Sequence, residues 1–457
     1  MIRQLVLGSL CIGALIGPGG DALANGRPPQ TSTISFRKGM ENQIAAGTAF
    51  GLLRSNDNGA TWHWVCEDAI GYGGMYDPDY IYASTGTLLA TTFDGVVVNR
   101  DGCTFEKSSL SPAPPSTDIK FFSTITQGPD NAILAAAADP LDGKIYKSTD
   151  DGVTWPTTST AGQLNDWWSS IEVAPSNAMR VYLSGYRFVP NPDTDAGGNI
   201  KEFLLFSSTN GGASWTALPV TGFATRSNSV IEIVGIGKTN SDLVFAKVTL
   251  SDNAISDTLY RSVNGGATWT PILTKQGAIS FIVRGNGDLV AATQSVGSFR
   301  STNNGTDWME LVNAPHINCL SEKADGELWA CTQNYGIPQV PPDGFGIMKT
   351  TDLVTWTGVL KFQEIQGPLA CAVGTEQKDT CDEVLWCGLC AQLGCDPKRE
   401  CPMVMVDAPP DAGEIGSGSK PGCCETTGSD TAPGALALVA AVGMVLLRSR
   451  RRPRRVC

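Results

Sequence analysis

Few residues in this chain have the type and spacing that chemistry needs. Asp57 and Asp150 each stand two residues after a serine and two before a glycine. Such carboxylates can hold a metal or a proton, but the pattern recurs along the chain, as a single active site would not. Cys387-Gly-Leu-Cys390 has the spacing of half a zinc site, without a second pair at suitable distance. Asp193-Thr-Asp195-Ala-Gly197-Gly-Asn199 offers oxygen donors at alternate positions, as calcium loops do. It lacks the closing bidentate glutamate, so an ordinary polar turn is the preferred reading and calcium the alternative. The histidines, His63 and His316, adjoin strand residues and read as structural. No Gly-x-Ser-x-Gly elbow, His-Glu-x-x-His helix or phosphate loop stands out, so no cofactor or metal is expected. Side chains suited to gripping a ligand are easier to find. Tyr72, Tyr76, Trp167, Trp168 and Tyr335, with Arg187 and Arg226, can stack on a glycan or hold a peptide. The competing reading is that these rings seal junctions between structural units.

The elements that position these residues come from an internal repeat. Ser55-Asn-Asp57-Asn-Gly59-Ala-Thr-Trp62 returns as Ser148-Thr-Asp150-Asp-Gly152-Val-Thr-Trp155 and as Ser208-Thr-Asn210-Gly-Gly212-Ala-Ser-Trp215. Two more copies are Ser262-Val-Asn264-Gly-Gly266-Ala-Thr-Trp269 and Ser301-Thr-Asn303-Asn-Gly305-Thr-Asp-Trp308. Degenerate copies run over Val98–Phe105 and Thr350–Trp356. Ser and Asp or Asn side chains bond the backbone of a tight turn, glycine supplies positive φ, and tryptophan buries a ring at the start of the next strand. Alternating runs such as Ala132–Ala136 and Asp288–Ala292 precede the copies. Each unit therefore holds four strands. The expected fold is all-β: a propeller of seven blades, or of six and an irregular unit.

Composition sets the compartment. The chain carries a net charge of −12, with six arginines gathered at Arg448, Arg450–Arg452, Arg454 and Arg455, so the body is acidic and a poor partner for nucleic acid. Residues 1–24 read as a signal peptide cleaved after Ala24. Fourteen cysteines in an exported chain imply disulfides. Cys319 and Cys331 flank a hairpin turn and should face each other; Cys66 and Cys103 are candidate partners. Cys371, Cys381, Cys387, Cys390, Cys395 and Cys401 form a dense cluster whose pairing sequence does not choose. The domains expected are a propeller at 25–365, a Cys-rich disulfide module at 366–402, a flexible linker at 403–422 and a membrane-helix tail at 423–457.

The repeated turns resemble the Asp-box, or bacterial neuraminidase repeat, of sialidases, sortilin-type receptors and photosystem II assembly factors. The resemblance implies a propeller and says little about activity. It also implies that the turns lie on the face opposite a ligand pocket, which would then be built from the long loops Tyr186–Glu202 and Gln333–Phe345. Sialidase chemistry needs three arginines on a carboxylate, a Tyr–Glu nucleophile and an aspartic acid. Arg37, in Ser35-Phe36-Arg37-Lys38-Gly39, occupies a place similar to the family's first arginine, though Lys38-Gly39 replaces its hydrophobic-Pro pair. Arg180, Arg187, Arg226, Arg284 and Arg300 show no context of a triad. The tail, with Cys423-Cys424, a short apolar run and the arginines, resembles the myxobacterial C-terminal sorting signal. It implies a signal peptidase and a sorting protease as partners and a place at the cell surface or outer membrane. The preferred reading is a surface-anchored module binding an unknown glycan or protein. A sialidase-like glycoside hydrolase and an envelope assembly factor are the alternatives.

Overall fold

Each repeat folds as a turn tied by its own side chains. In the computed structural model Ser148 Oγ accepts the N–H of Gly152 at 2.9 Å and donates to Asp150 Oδ1 at 2.8 Å. Asp150 in turn accepts the N–H and hydroxyl of Thr154 at 2.9 and 2.6 Å. The turns at Ser55, Ser208, Ser262 and Ser301 repeat this scheme. In the two degenerate copies Asn99 and Thr350 take the serine's place: Asn99 Oδ1 accepts from Gly102 N, and Thr350 Oγ1 from Leu353 N. Glycine is required at Gly152 for two reasons. Its φ is +79°, and a Cβ there would lie 2.4 Å from Leu89 of the preceding blade.

Each turn joins the last two strands of a four-stranded antiparallel sheet laid out in chain order. Seven such sheets follow one another: blades 1 (31–65), 2 (80–107), 3 (122–160), 4 (166–217), 5 (230–276), 6 (279–310) and 7 (319–360). First strands neighbour first strands all round, and blade 1 meets blade 7. The fold is thus a seven-bladed, all-β propeller. Cores form between blades because neither face of one sheet is covered alone. The tryptophans of the turns span these seams: Trp215 Nε1 donates to Ser159 of blade 3, and Trp308 Nε1 to the carbonyl of Ile272 in blade 5.

The structure describes residues 28–401 except 74–75, 111–119, 140, 192–197, 224–228, 251–254, 338–339 and 399. The chain divides into two compact units, Met1–Pro402 and Met403–Cys457, and all described residues belong to the first. Ala24, the linker, Cys423, Cys424 and the tail helix lie outside the described residues, as do Arg226 and most of the Asp193–Asn199 loop. Among the described residues no helix is long and apolar enough to cross a membrane.

Two expectations are corrected. Tyr186–Glu202 is mostly strand: blade 4's second and third strands, Asn177–Pro190 and Asn199–Ser208, stay paired as far as Pro190 and Asn199. Cys66 and Cys103 do not pair with each other. Cys66 bonds Cys381 and Cys103 bonds Cys371, while Cys387–Cys401, Cys390–Cys395 and the expected Cys319–Cys331 complete five disulfides. All four cluster cysteines nearest the Cys-x-x-Cys are thereby used, which removes the zinc alternative for that pair. The reason for the mispairing is that the segment after blade 7 returns to blade 1. Gly367 and Leu369 bond the backbone of Trp64 at 2.9 and 2.8 Å, adding a parallel strip to that blade's outer edge. The helix Trp386–Leu393 then buries Trp386, Leu389 and Leu393 in the core that holds Trp64 and Phe362.

Candidate functional site

The antiparallel order of each blade fixes which loops share a face. The repeat turns and the turns between first and second strands lie at one end. The connections between blades and the hairpins between second and third strands lie at the other. Arg37, Arg180, Arg284 and Arg300 all fall at the repeat-turn end. Arg180 pairs with Asp242 at 3.1 Å, Arg284 with Glu322 at 2.8 Å and Arg300 with Asp288 at 2.6 Å. Only Arg187, of the arginines considered and described, lies at the opposite end, and Asp166 grips it through two bonds of 2.6 and 2.9 Å. Arg37 therefore does not stand where a pocket opposite the turns would need it.

The opposite end carries two aromatic groups. In blade 4, Trp167 and Tyr186 are cross-strand partners with rings parallel to within 3° and centroids 6.4 Å apart. Phe188 meets both edge-on and is 45% exposed. Lys201 Nζ lies 4.1 Å above the Tyr186 ring. Burial lowers the pKa of that lysine. A β-bulge at Ser169 breaks the register just beyond Trp167, and Ser169 Oγ donates to Ile231 O of blade 5 at 2.5 Å, fixing the strand that presents the ring. The result is a partly exposed shelf of three rings carried by the long hairpin of blade 4 and flanked by a cation. The second group, between blades 2 and 3, stacks Phe93 on Phe121 at 5.2 Å with Tyr76 packed on both. Tyr76 also donates to Phe122 O at 2.9 Å. Phe93 is 46% exposed; Tyr72 is buried beneath.

Three of the expected ligand aromatics serve the core instead, Tyr72 among them. Trp168 is 1% exposed and donates to Gly143 O at 2.9 Å. Tyr335 donates to Leu393 O at 2.6 Å and packs on Phe362, holding the C-terminal segment. Tyr186, Phe188, Phe93, Phe121 and Lys201 were missed. The alternation of Tyr186 and Phe188 was a usable strand signal, and Phe93 sits in a two-residue hairpin turn where a large apolar side chain is conspicuous.

Two half-buried carboxyls, Asp79 and Glu172, hold their protons unusually far up. Burial pushes the Glu172 carboxyl up to about 8, aided by the charge of Asp79 and opposed by Lys238. Asp79 is pushed up to about 6, again by burial, although the Ile125 N–H bonds its charged form. Glu232 is neutralised by Lys247 at 2.9 Å. Among the described residues no three His, Cys, Asp or Glu side chains gather as metal ligands. His316 Nδ1 lies 2.8 Å from Asp343 Oδ1 at the end opposite the turns.

No family model matches the chain. Xyloglucanase Xgh74A of Acetivibrio thermocellus is 27% identical over 224 residues, which is 49% of this chain and 22% of the xyloglucanase. This chain thus spans about a fifth of that protein's length. Among solved structures, an ancestral GH74 enzyme matches at 15% identity with a TM-score of 0.47, covering 68% of this chain and 44% of that one. The GH74 xyloglucanase of Xanthomonas campestris matches at 11% identity and a TM-score of 0.40, covering 72% and 66%. YCF48 of Cyanidioschyzon merolae matches at 13% identity and a TM-score of 0.40, covering 67% and 94%.

Proposed function

We propose that this chain is an exported propeller, held at the cell surface by its tail, that binds a polysaccharide on the face opposite its repeat turns. The turns are read as Asp-boxes, whose role is structural. The observation that carries the proposal is the Trp167–Tyr186–Phe188 shelf. Sugar rings present flat C–H faces that pack on aromatic rings, while Lys201 offers a polar contact at the margin. The partial similarity to a xyloglucanase makes xyloglucan the first candidate ligand.

A glycoside hydrolase is the second reading, and the Asp79–Glu172 pair is what favours it: one carboxyl holds a proton to about 8 and the other to about 6. One experiment separates the two. The purified protein is incubated with xyloglucan, other glucans and fluorogenic sialosides, and both retention and release of reducing ends are measured. Retention without release, reduced in Trp167→Ala, supports the binding module. Release abolished in Glu172→Gln or Asp79→Asn establishes the hydrolase, and neither outcome for any polysaccharide directs the search to a protein ligand or an envelope assembly partner.

A further inference from the structure

A cleft of about 520 Å³ opens on the repeat-turn face between blades 1 and 2, far along the chain from the aromatic shelf and independent of it. Three arginines line it: Arg37 and Arg54 from blade 1 and Arg100 from blade 2. Arg100 is answered by Glu106 at 3.2 Å. Arg37 and Arg54 are held only by neutral groups among the described residues. Arg37 donates to Thr85 O at 2.6 Å and to Gln43 at 3.1 Å. Arg54 donates to Gly102 O at 3.0 Å, Asn99 Oδ1 at 3.2 Å and the Tyr82 hydroxyl at 3.3 Å. The Nε of each guanidinium is buried with no acceptor.

This arrangement is unexpected in a chain of net charge −12, where a surface cation has many carboxylates to meet. The fold also takes care to admit these side chains. A Cβ on Gly86 would lie 2.6 Å from the Arg37 guanidinium, and one on Gly102 would lie 3.2 Å from Arg54. Both glycines have positive φ, so both guanidiniums rest directly on turn backbone. Asp101, the acid on the rim, is exposed, and its Oδ1 is taken up by the N–H groups of Cys103 and Thr104 at 2.8 Å. Leu369 and Ala370 of the C-terminal segment form a wall, pinned by Cys103–Cys371.

We infer that this cleft is an oxyanion-binding site, taking a carboxylate, sulfate or phosphate group between Arg37 and Arg54 with Arg100 at its edge. Planar guanidiniums with unused N–H donors match the paired oxygens of such groups, and partial burial strengthens each bond. The carrier of the group is a free anion or an acidic sugar of a glycan.

The test uses the disulfide-intact full chain at constant ionic strength, titrated calorimetrically with sodium sulfate, sodium phosphate and galacturonate against a chloride background. Saturable binding that weakens about tenfold or more in Arg37→Gln or Arg54→Gln, and is unchanged in Arg261→Gln elsewhere on the face, supports the assignment. Galacturonate binding tighter than the inorganic anions identifies an acidic glycan as the source; equal affinities identify a free oxyanion. If the first two variants do not fold, Arg100→Gln, whose side chain is more exposed, is read in their place. No saturable binding by the wild-type protein overturns the inference, as does binding that all the arginine variants leave unchanged.

Discussion

The serine of the repeat shows how much a single side chain settles. Ser148 is fully buried, and its Oγ serves three partners within one turn. Ser148→Ala leaves the Gly152 N–H without an acceptor and is expected to cost about 1–3 kcal/mol, read as a lower denaturation midpoint. These residues were legible because the same physical task recurs in every blade. Trp167 and Trp168 were harder. Adjacent residues in a strand face opposite ways, so one ring is buried and its neighbour is partly exposed, and only packing decides which. The two acids left no local signal at all, since only the fold lets Glu172 sense the charge of Asp79. Their effect on stability has a definite sign. Glu172 in the folded protein holds its proton to about 8, against an ordinary value of 4.5. The folded state therefore binds the proton more tightly than the unfolded state. Stability is greatest below the ordinary value and is lost as pH rises towards about 8. Asp79 adds to the same trend between 3.8 and about 6. Glu172→Gln should flatten this decline and raise the melting temperature above about pH 8; an unaltered pH profile would remove the buried charge from the account.

At the scale of elements, the segment after blade 7 has the largest consequence. The four strands of every blade come from one contiguous stretch of chain, so no exchanged strand closes the ring. The seam between blades 1 and 7 is instead packed by Phe36 against Trp329 and bonded by Thr31 Oγ1 to Gly346 O. The C-terminal segment then straps blades 1 and 2 through Cys66–Cys381 and Cys103–Cys371, which close loops of 315 and 268 residues. Long loops lose the most unfolded-state entropy when closed. Replacing Cys66 and Cys381 together by serine should lower stability by about 2–5 kcal/mol, whereas removing Cys319–Cys331, whose loop spans 12 residues, should cost less. Equal losses in chemical denaturation would show that the strap does not close the ring. Sequence gave the hairpin disulfide because its partners are symmetric about one turn. It could not give the strap, because nothing local says that residues near 370 return to blade 1. The long hairpin of blade 4 was obscured for a different reason: the prolines and polar residues that follow Val189 in the sequence read as a loop, and the paired residues before them were read as part of it.

For the molecule as a whole, the four-stranded blade and its strand order were readable from the repeat and the blade number to within one, while the division of residues between its two ends was not. Four of the arginines weighed for substrate binding lie on the repeat-turn end. The partly exposed aromatic shelf lies on the other, carried by the longest hairpin of the propeller. The central claim is that this shelf is the recognition surface. The most direct measurement is calorimetric titration of the purified protein with xyloglucan oligosaccharides and a panel of other glycans, comparing wild type with Trp167→Ala and Phe93→Ala. The account predicts saturable binding to at least one glycan and a loss of about 2 kcal/mol, roughly thirtyfold in affinity, in Trp167→Ala with the melting temperature little changed. Binding of equal strength in folded Trp167→Ala, or binding lost only in Phe93→Ala, would contradict it and move the recognition surface away from blade 4.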